Sequence, residues 1–132
     1  MASEKTKALI FAVDDEPDIL KLIQLSLTNG GLVSEGFTSG AELLERLSNS
    51  PGPDLVILDV MMPDMNGFDV CRQIRKNRSL THIPVVFLTA KTFDRDYQEG
   101  LASGGTAYLE KPFDVQLFPE KVRMFLRGKG KI

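Results

Sequence analysis

Apolar residues run along this chain in short unbroken blocks, separated by stretches in which they return every three or four positions. "ALIFAV" (8–13), "LVIL" (55–58) and "IPVVFLT" (83–89) show almost no polar alternation, the habit of strands covered on both faces. "LVSEGF" (32–37) is shorter and more polar, which predicts an edge strand, and "TAYLE" (106–110) supplies a last one. Between them lie helical spacings. Ile19, Leu22, Ile23 and Leu27 follow Pro17, a residue suited to a first helical turn, and Asn29, Gly30 and Gly31 end that helix. Ser39 with Glu42 forms a capping-box pattern ahead of Leu43, Leu44 and Leu47. Val70, Cys71 and Ile74 mark a helix over 67–77. Asp114 opens a final helix that reaches about Arg127 through Phe118, Val122, Phe125 and Leu126.

Strict alternation of strand and helix predicts an α/β fold, a doubly wound five-stranded parallel sheet flanked by five helices, because right-handed crossovers place helices on both faces. Two helices are poorly specified. The fourth has only Phe93, Tyr97 and Leu101 as a stripe, interrupted by Gly100. The fifth carries Pro119 five residues beyond Asp114, where proline deletes a backbone donor and collides with the preceding turn, so it should kink there or begin near Phe118.

Composition narrows the function. With 132 residues, 42% hydrophobic and 26% charged, the chain has the size and balance of one domain, with its core expected over about 7–127. Lys and Arg number 16 against 18 Asp and Glu, a net charge of -2, which gives no global positive field for nucleic acid. No apolar run approaches the roughly 20 residues needed to span a bilayer, and the start lacks a secretory core, so a cytoplasmic location without membrane contact is expected. A single Cys71 forms no internal disulfide and reads as a core thiol, and His82 has no second histidine with which to build a metal site.

In such a sheet, ligand sites lie at the carboxyl ends of the strands. The first strand ends on Asp14 and Asp15, the third on Asp59, and the fourth on Thr89 and Ala90, while Lys111 and Pro112 follow the fifth. Three acids close together repel one another unless a cation such as Mg²⁺, which prefers oxygen ligands, relieves them. Taken singly, Asp59 is also a turn or helix-cap residue, Thr89 a core-edge hydroxyl and Tyr108 a strand aromatic.

The four stretches "VDDEP", "LDVMMPDMNG", "FLTA" and "YLEKPF", in this order and each at a strand end, resemble the receiver domain of bacterial two-component response regulators over roughly residues 7–127. The resemblance implies the flavodoxin-like strand order 2-1-3-4-5. It implies that Asp59 accepts a phosphoryl group from a histidine kinase or phosphotransfer protein. Asp14 and Asp15 would be the acidic pair for Mg²⁺ or Mn²⁺, Asp14 acting through a water, with Asp59 and the Met61 backbone carbonyl as further ligands. Thr89 would be the switch hydroxyl, Lys111 the phosphate-contacting ammonium and Tyr108 the switch aromatic, with Met61, Ala90 and Lys91 bordering the phosphoryl group. The implied output is an unknown protein partner met through the fourth helix, fifth strand and fifth helix.

Three rivals share parts of this pattern. A haloacid-dehalogenase-type phosphatase needs a second Asp two residues after its nucleophile, and here that position is Met61. A flavodoxin-like carrier needs a hydroxyl-rich phosphate loop after the first strand, where this chain has the anionic "DDEPD". A degenerate receiver that serves only for docking would have lost one of the expected site positions, and none has been replaced.

Overall fold

The computed structural model describes residues 7–49, 52–63, 65–89 and 94–128. Five parallel strands, β1 (Leu9–Val13), β2 (Val33–Phe37), β3 (Leu55–Asp59), β4 (Val85–Thr89) and β5 (Ala107–Glu110), form one sheet in the order β2-β1-β3-β4-β5. The helices are α1 (Pro17–Asn29), α2 (Gly40–Leu47), α3 (Gly67–Lys76), α4 (Asp94–Ala102) and α5 (Phe118–Gly128), with a 3-10 turn at Arg78–Leu80. This is the predicted architecture, with β2 at the edge.

The unbroken apolar runs are explained by two cores. Alternate residues of each strand point to opposite faces. Ile10, Ala12, Ile57 and Leu88 pack with Ile23 of α1 and with Phe118 and Val122 of α5 on one side. Phe11, Val13, Val56, Leu58 and Phe87 pack with Leu43 of α2 and with Phe68, Val70 and Ile74 of α3 on the other. Cys71 is fully buried in this second layer, and burial pushes its thiol pKa up. His82 is exposed.

Local signals place the helix ends. Pro17 stands at the first position of α1, and Gly31 takes φ +86 just after its end. Ser39 Oγ accepts the Glu42 N–H at 3.1 Å, but the Glu42 carboxylate reaches one residue beyond the box, to the Thr38 N–H at 3.0 Å and the Thr38 hydroxyl at 3.2 Å. The last helix does not open at Asp114. Asp114 closes a turn by accepting the Gln116 N–H at 2.9 Å, and α5 begins at Phe118, with Pro119 in the first turn, where its missing N–H has no helical acceptor to lose.

The stripe expected on the fourth helix also needs correction. Phe93 lies outside the described residues, as does the side chain of Tyr97. Leu101 is 49% exposed, whereas Gly100 is buried. Among the described side chains of α4, Gly100 is the buried position.

Candidate functional site

The strand ends meet as the sequence suggests. Asp14 follows β1, and its N–H donates to the Phe37 carbonyl at 3.1 Å, which fixes the start of the β1–α1 loop. Its Oδ1 accepts the Glu16 N–H at 3.0 Å, and this orients the carboxylate. Asp59 is the last residue of β3, in register with Leu88 of β4. Both acids are buried, Asp14 at 0% and Asp59 at 3% exposure, while Asp15 is partly exposed. One carboxylate oxygen from each of Asp14, Asp15 and Asp59 falls within 4.8 Å of the others.

The chain leaves the site through a tight exit, which explains the Pro, Asn and Gly cluster after Asp59. Asn66 caps α3 by accepting the Asp69 N–H at 2.9 Å, and the Gly67 N–H donates to the Val60 carbonyl at 3.0 Å. A Cβ at Gly67 would stand 2.6 Å from the Asp59 carbonyl oxygen, so glycine alone permits this approach.

Lys111 enters from the opposite edge. Its N–H donates to the Thr89 carbonyl at 2.8 Å, tying it to the end of β4, and its side chain runs back across the acids. Nζ donates to Asp59 Oδ1 at 3.2 Å and lies 3.0 Å from Asp14 Oδ2. Lys111 is thus ion-paired with both acids, and no other donor reaches the fully buried Asp14 Oδ2. Thr89 is buried beside them at the end of β4. Lys111 precedes Pro112 through a cis peptide bond.

The electrostatics follow from burial. The Asp59 pKa is pushed up to about 6, first by desolvation and then by the Asp14 charge, while Lys111 pulls it down. Burial disfavours the Lys111 ammonium, but the Asp14 and Asp59 carboxylates outweigh it and hold the Lys111 pKa above its ordinary value. One ammonium thus faces two buried acids and a third nearby. A fully buried carboxylate oxygen held only by an ion pair, in a set of three acids, fits a hard divalent cation with oxygen ligands.

The remaining predicted residues divide. Met61 follows the site with its side chain 74% exposed. Ala90 and Lys91 lie outside the described residues. The Tyr108 ring packs edge-on against Phe87, with centroids 5.5 Å apart, and Phe87 packs edge-on against Phe68 of α3 at 5.0 Å. A Cβ at Gly100 of α4 would fall 2.3 Å from the Tyr108 hydroxyl. This aromatic row and its glycine cradle were not anticipated from the sequence. The signal available was Gly100 itself, an otherwise unfavourable residue inside a helix.

Residues 10–123 match the family "Response regulator receiver domain", and the chain belongs to it. It is 42% identical over 129 residues to the transcriptional regulatory protein SpaR of Bacillus subtilis, covering 94% of this chain and 54% of that protein. It is 38% identical over 118 residues to the DNA-binding response regulator MtrA of Mycolicibacterium smegmatis, covering 89% and 50%. The chain therefore spans about half the length of these curated relatives. Among solved structures, the chemotaxis protein CheY4 of Vibrio cholerae superposes with a TM-score of 0.85 at 30% identity, over 90% of this chain and 98% of that one. The BeF3-activated DrrB receiver domain gives 0.79 at 30% identity, over 92% and 99%. A receiver domain of this family is in general a signalling module and not a turnover enzyme. No helix among the described residues is long and apolar enough to cross a membrane.

Proposed function

We propose that Asp59 accepts a phosphoryl group from the phosphohistidine of a histidine kinase or phosphotransfer protein, with Mg²⁺ or Mn²⁺, and that the phosphorylated chain acts on a protein partner through α4, β5 and α5. The observation that carries this reading is the convergence of Asp14, Asp15, Asp59 and Lys111 from three separate strand ends, with one ammonium facing the buried Asp14 and Asp59.

Asp14, Asp15 and Asp59, with the Met61 carbonyl, would hold the cation. Bound there, it neutralises acid repulsion and withdraws charge from the phosphoryl oxygens. The Asp59 oxygen forms the new P–O bond as the P–N bond breaks, and the electron pair leaves with the donor imidazole. Lys111, already 3.2 Å from Asp59, supplies a positive charge for the transferred oxygens. Asp59 must be ionised to attack, and a pKa near 6 leaves it so at neutral pH. Thr89 donates its hydroxyl to a phosphoryl oxygen. Slow self-dephosphorylation follows when water attacks phosphorus and releases phosphate from the restored carboxylate.

The test is intact-mass analysis after incubation with Mg²⁺ and a small phosphodonor. One hydroxylamine-labile phosphoryl group is expected in the parent and none in Asp59→Asn; unchanged labelling of that variant would remove Asp59 from the role.

A further inference from the structure

α3 turns Cys71, Arg72 and Arg75 toward the C-terminal end of α4. Arg72 Nη2 donates to Glu99 Oε2 at 3.0 Å, and its Nη1 donates to Asp69, on its own helix, at 3.2 Å. Arg75 Nε donates to the Gly104 carbonyl at 2.9 Å, while its Nη1 serves the carbonyls of Leu80, Thr81 and Ile83 at 3.3, 3.3 and 2.7 Å. Ser103 is buried, donates its hydroxyl to the Gly100 carbonyl at 2.7 Å and meets the Cys71 thiol. Leu101 is turned outward, so these polar contacts join the packing of Gly100 on Tyr108 at this end of α4.

The two arginines differ in what it takes to release them. Arg75 bonds four backbone carbonyls, and freeing it would leave the part-buried carbonyls of Gly104 and Ile83 without this donor. Gly104 has φ +97, and a Cβ there would stand 2.6 Å from Arg75 Cγ, so the position beside the arginine is built for glycine. That junction is fixed. The Arg72–Glu99 pair is different: its side chains are 41% and 42% exposed, and an exposed ion pair breaks at small cost. Asp69 also remains on Arg72 when Glu99 departs. At its other end α4 begins at Asp94, five positions after Thr89 ends β4, so it is the first element to follow the switch hydroxyl in the chain.

We propose that the Arg72–Glu99 ion pair is a latch that holds α4 on α3 in the resting protein and opposes the phosphorylated arrangement, with Arg75 and Gly104 as the hinge. This rests on the reading of Asp59 as phosphoacceptor. A state that must break the pair gains when the pair is removed, and by linkage the site then binds its phosphoryl group more tightly.

The experiment is calorimetric titration of the chain with beryllofluoride, a phosphoryl analogue, at constant Mg²⁺. Arg72→Ala and Glu99→Ala should each bind about two- to fivefold more tightly than the parent, the range an exposed pair supplies. The double variant should gain no more than the better single one, and Asp69→Asn should match the parent. Parental or weaker affinity in both alanine variants, additive gains in the double variant, or an equal gain in Asp69→Asn would each overturn the latch. A parent that binds no beryllofluoride defeats the phosphoacceptor reading and the latch with it, whereas a parent that binds alongside unaltered variants defeats the latch alone.

Discussion

Lys111 stretches across the end of the sheet to place its ammonium 3.2 Å from Asp59 Oδ1, and the same nitrogen lies 3.0 Å from Asp14 Oδ2. One side chain therefore balances two buried acids. Replacing it with Met keeps much of the stem and removes the charge, leaving both carboxylates uncompensated. Lys111→Met should lower the stability of the metal-free protein by about 1–3 kcal/mol. Mg²⁺ should recover more of that loss than it adds to the parent, as thermal melting with and without the ion will show.

The raised Asp59 pKa has a defined pH signature. Its folded value, about 6, exceeds the ordinary carboxyl value of 3.8, so between these the folded state holds a proton that the unfolded state lacks. The stabilisation is complete below about 3.8 and is lost as pH rises through about 6. Asp59→Asn cannot ionise, so the metal-free variant should be more stable than the parent at pH 7, on the order of 1 kcal/mol, and the gap should close toward pH 4. Denaturant melts across this range check the sign. Mg²⁺ affinity of the parent should fall over the same interval, because the proton and the cation compete for one carboxylate.

Asp15 is the partly exposed member of the acid set. Asp15→Asn should relieve repulsion and modestly stabilise the metal-free chain, yet reduce the thermal shift produced by Mg²⁺, since an ion bound only to the folded state stabilises by mass action. Equal shifts in variant and parent would remove Asp15 from the ligand set.

Gly100 and Tyr108 offer a test of the aromatic row. A methyl group at position 100 would meet the Tyr108 hydroxyl at 2.3 Å, so Gly100→Ala should turn the ring toward solvent despite the gain in helix propensity. The chain has no Trp and two Tyr, so iodide quenching of tyrosine emission should rise in that variant, with Tyr97→Phe as the background that isolates Tyr108. Unchanged quenching would mean that α4 gives way instead of the ring.

The strands and their end residues were legible in the sequence because both depend on residue type. Full burial needs the unbroken apolar runs around Ile57 and Val86, and the acids at Asp14 and Asp59 stand out at the ends of such runs. The start of α5 was harder, because the capping preference of Asp114 and the steric demand of Pro119 point four or five residues apart; the demand of Pro119 decides. In α4, Leu101 faces outward because Gly100 takes the inward position, where Tyr108 of β5 lies against it. Arg72 and Arg75 gave no signal of their own: their partners, Glu99 and Gly104, lie well away in sequence and adjoin them only once α4 is placed.

The measurement that tests the central claim most directly is the location of the phosphoryl group. After phosphorylation with Mg²⁺ and a small phosphodonor, borohydride reduction of the aspartyl phosphate leaves a stable mark that peptide mass mapping assigns to one residue. The account predicts the mark at Asp59, dependent on the divalent cation and absent when the protein is denatured before phosphodonor is added. A mark at Asp14 or Asp15, or phosphorylation confined to Ser, Thr or His side chains, would contradict it.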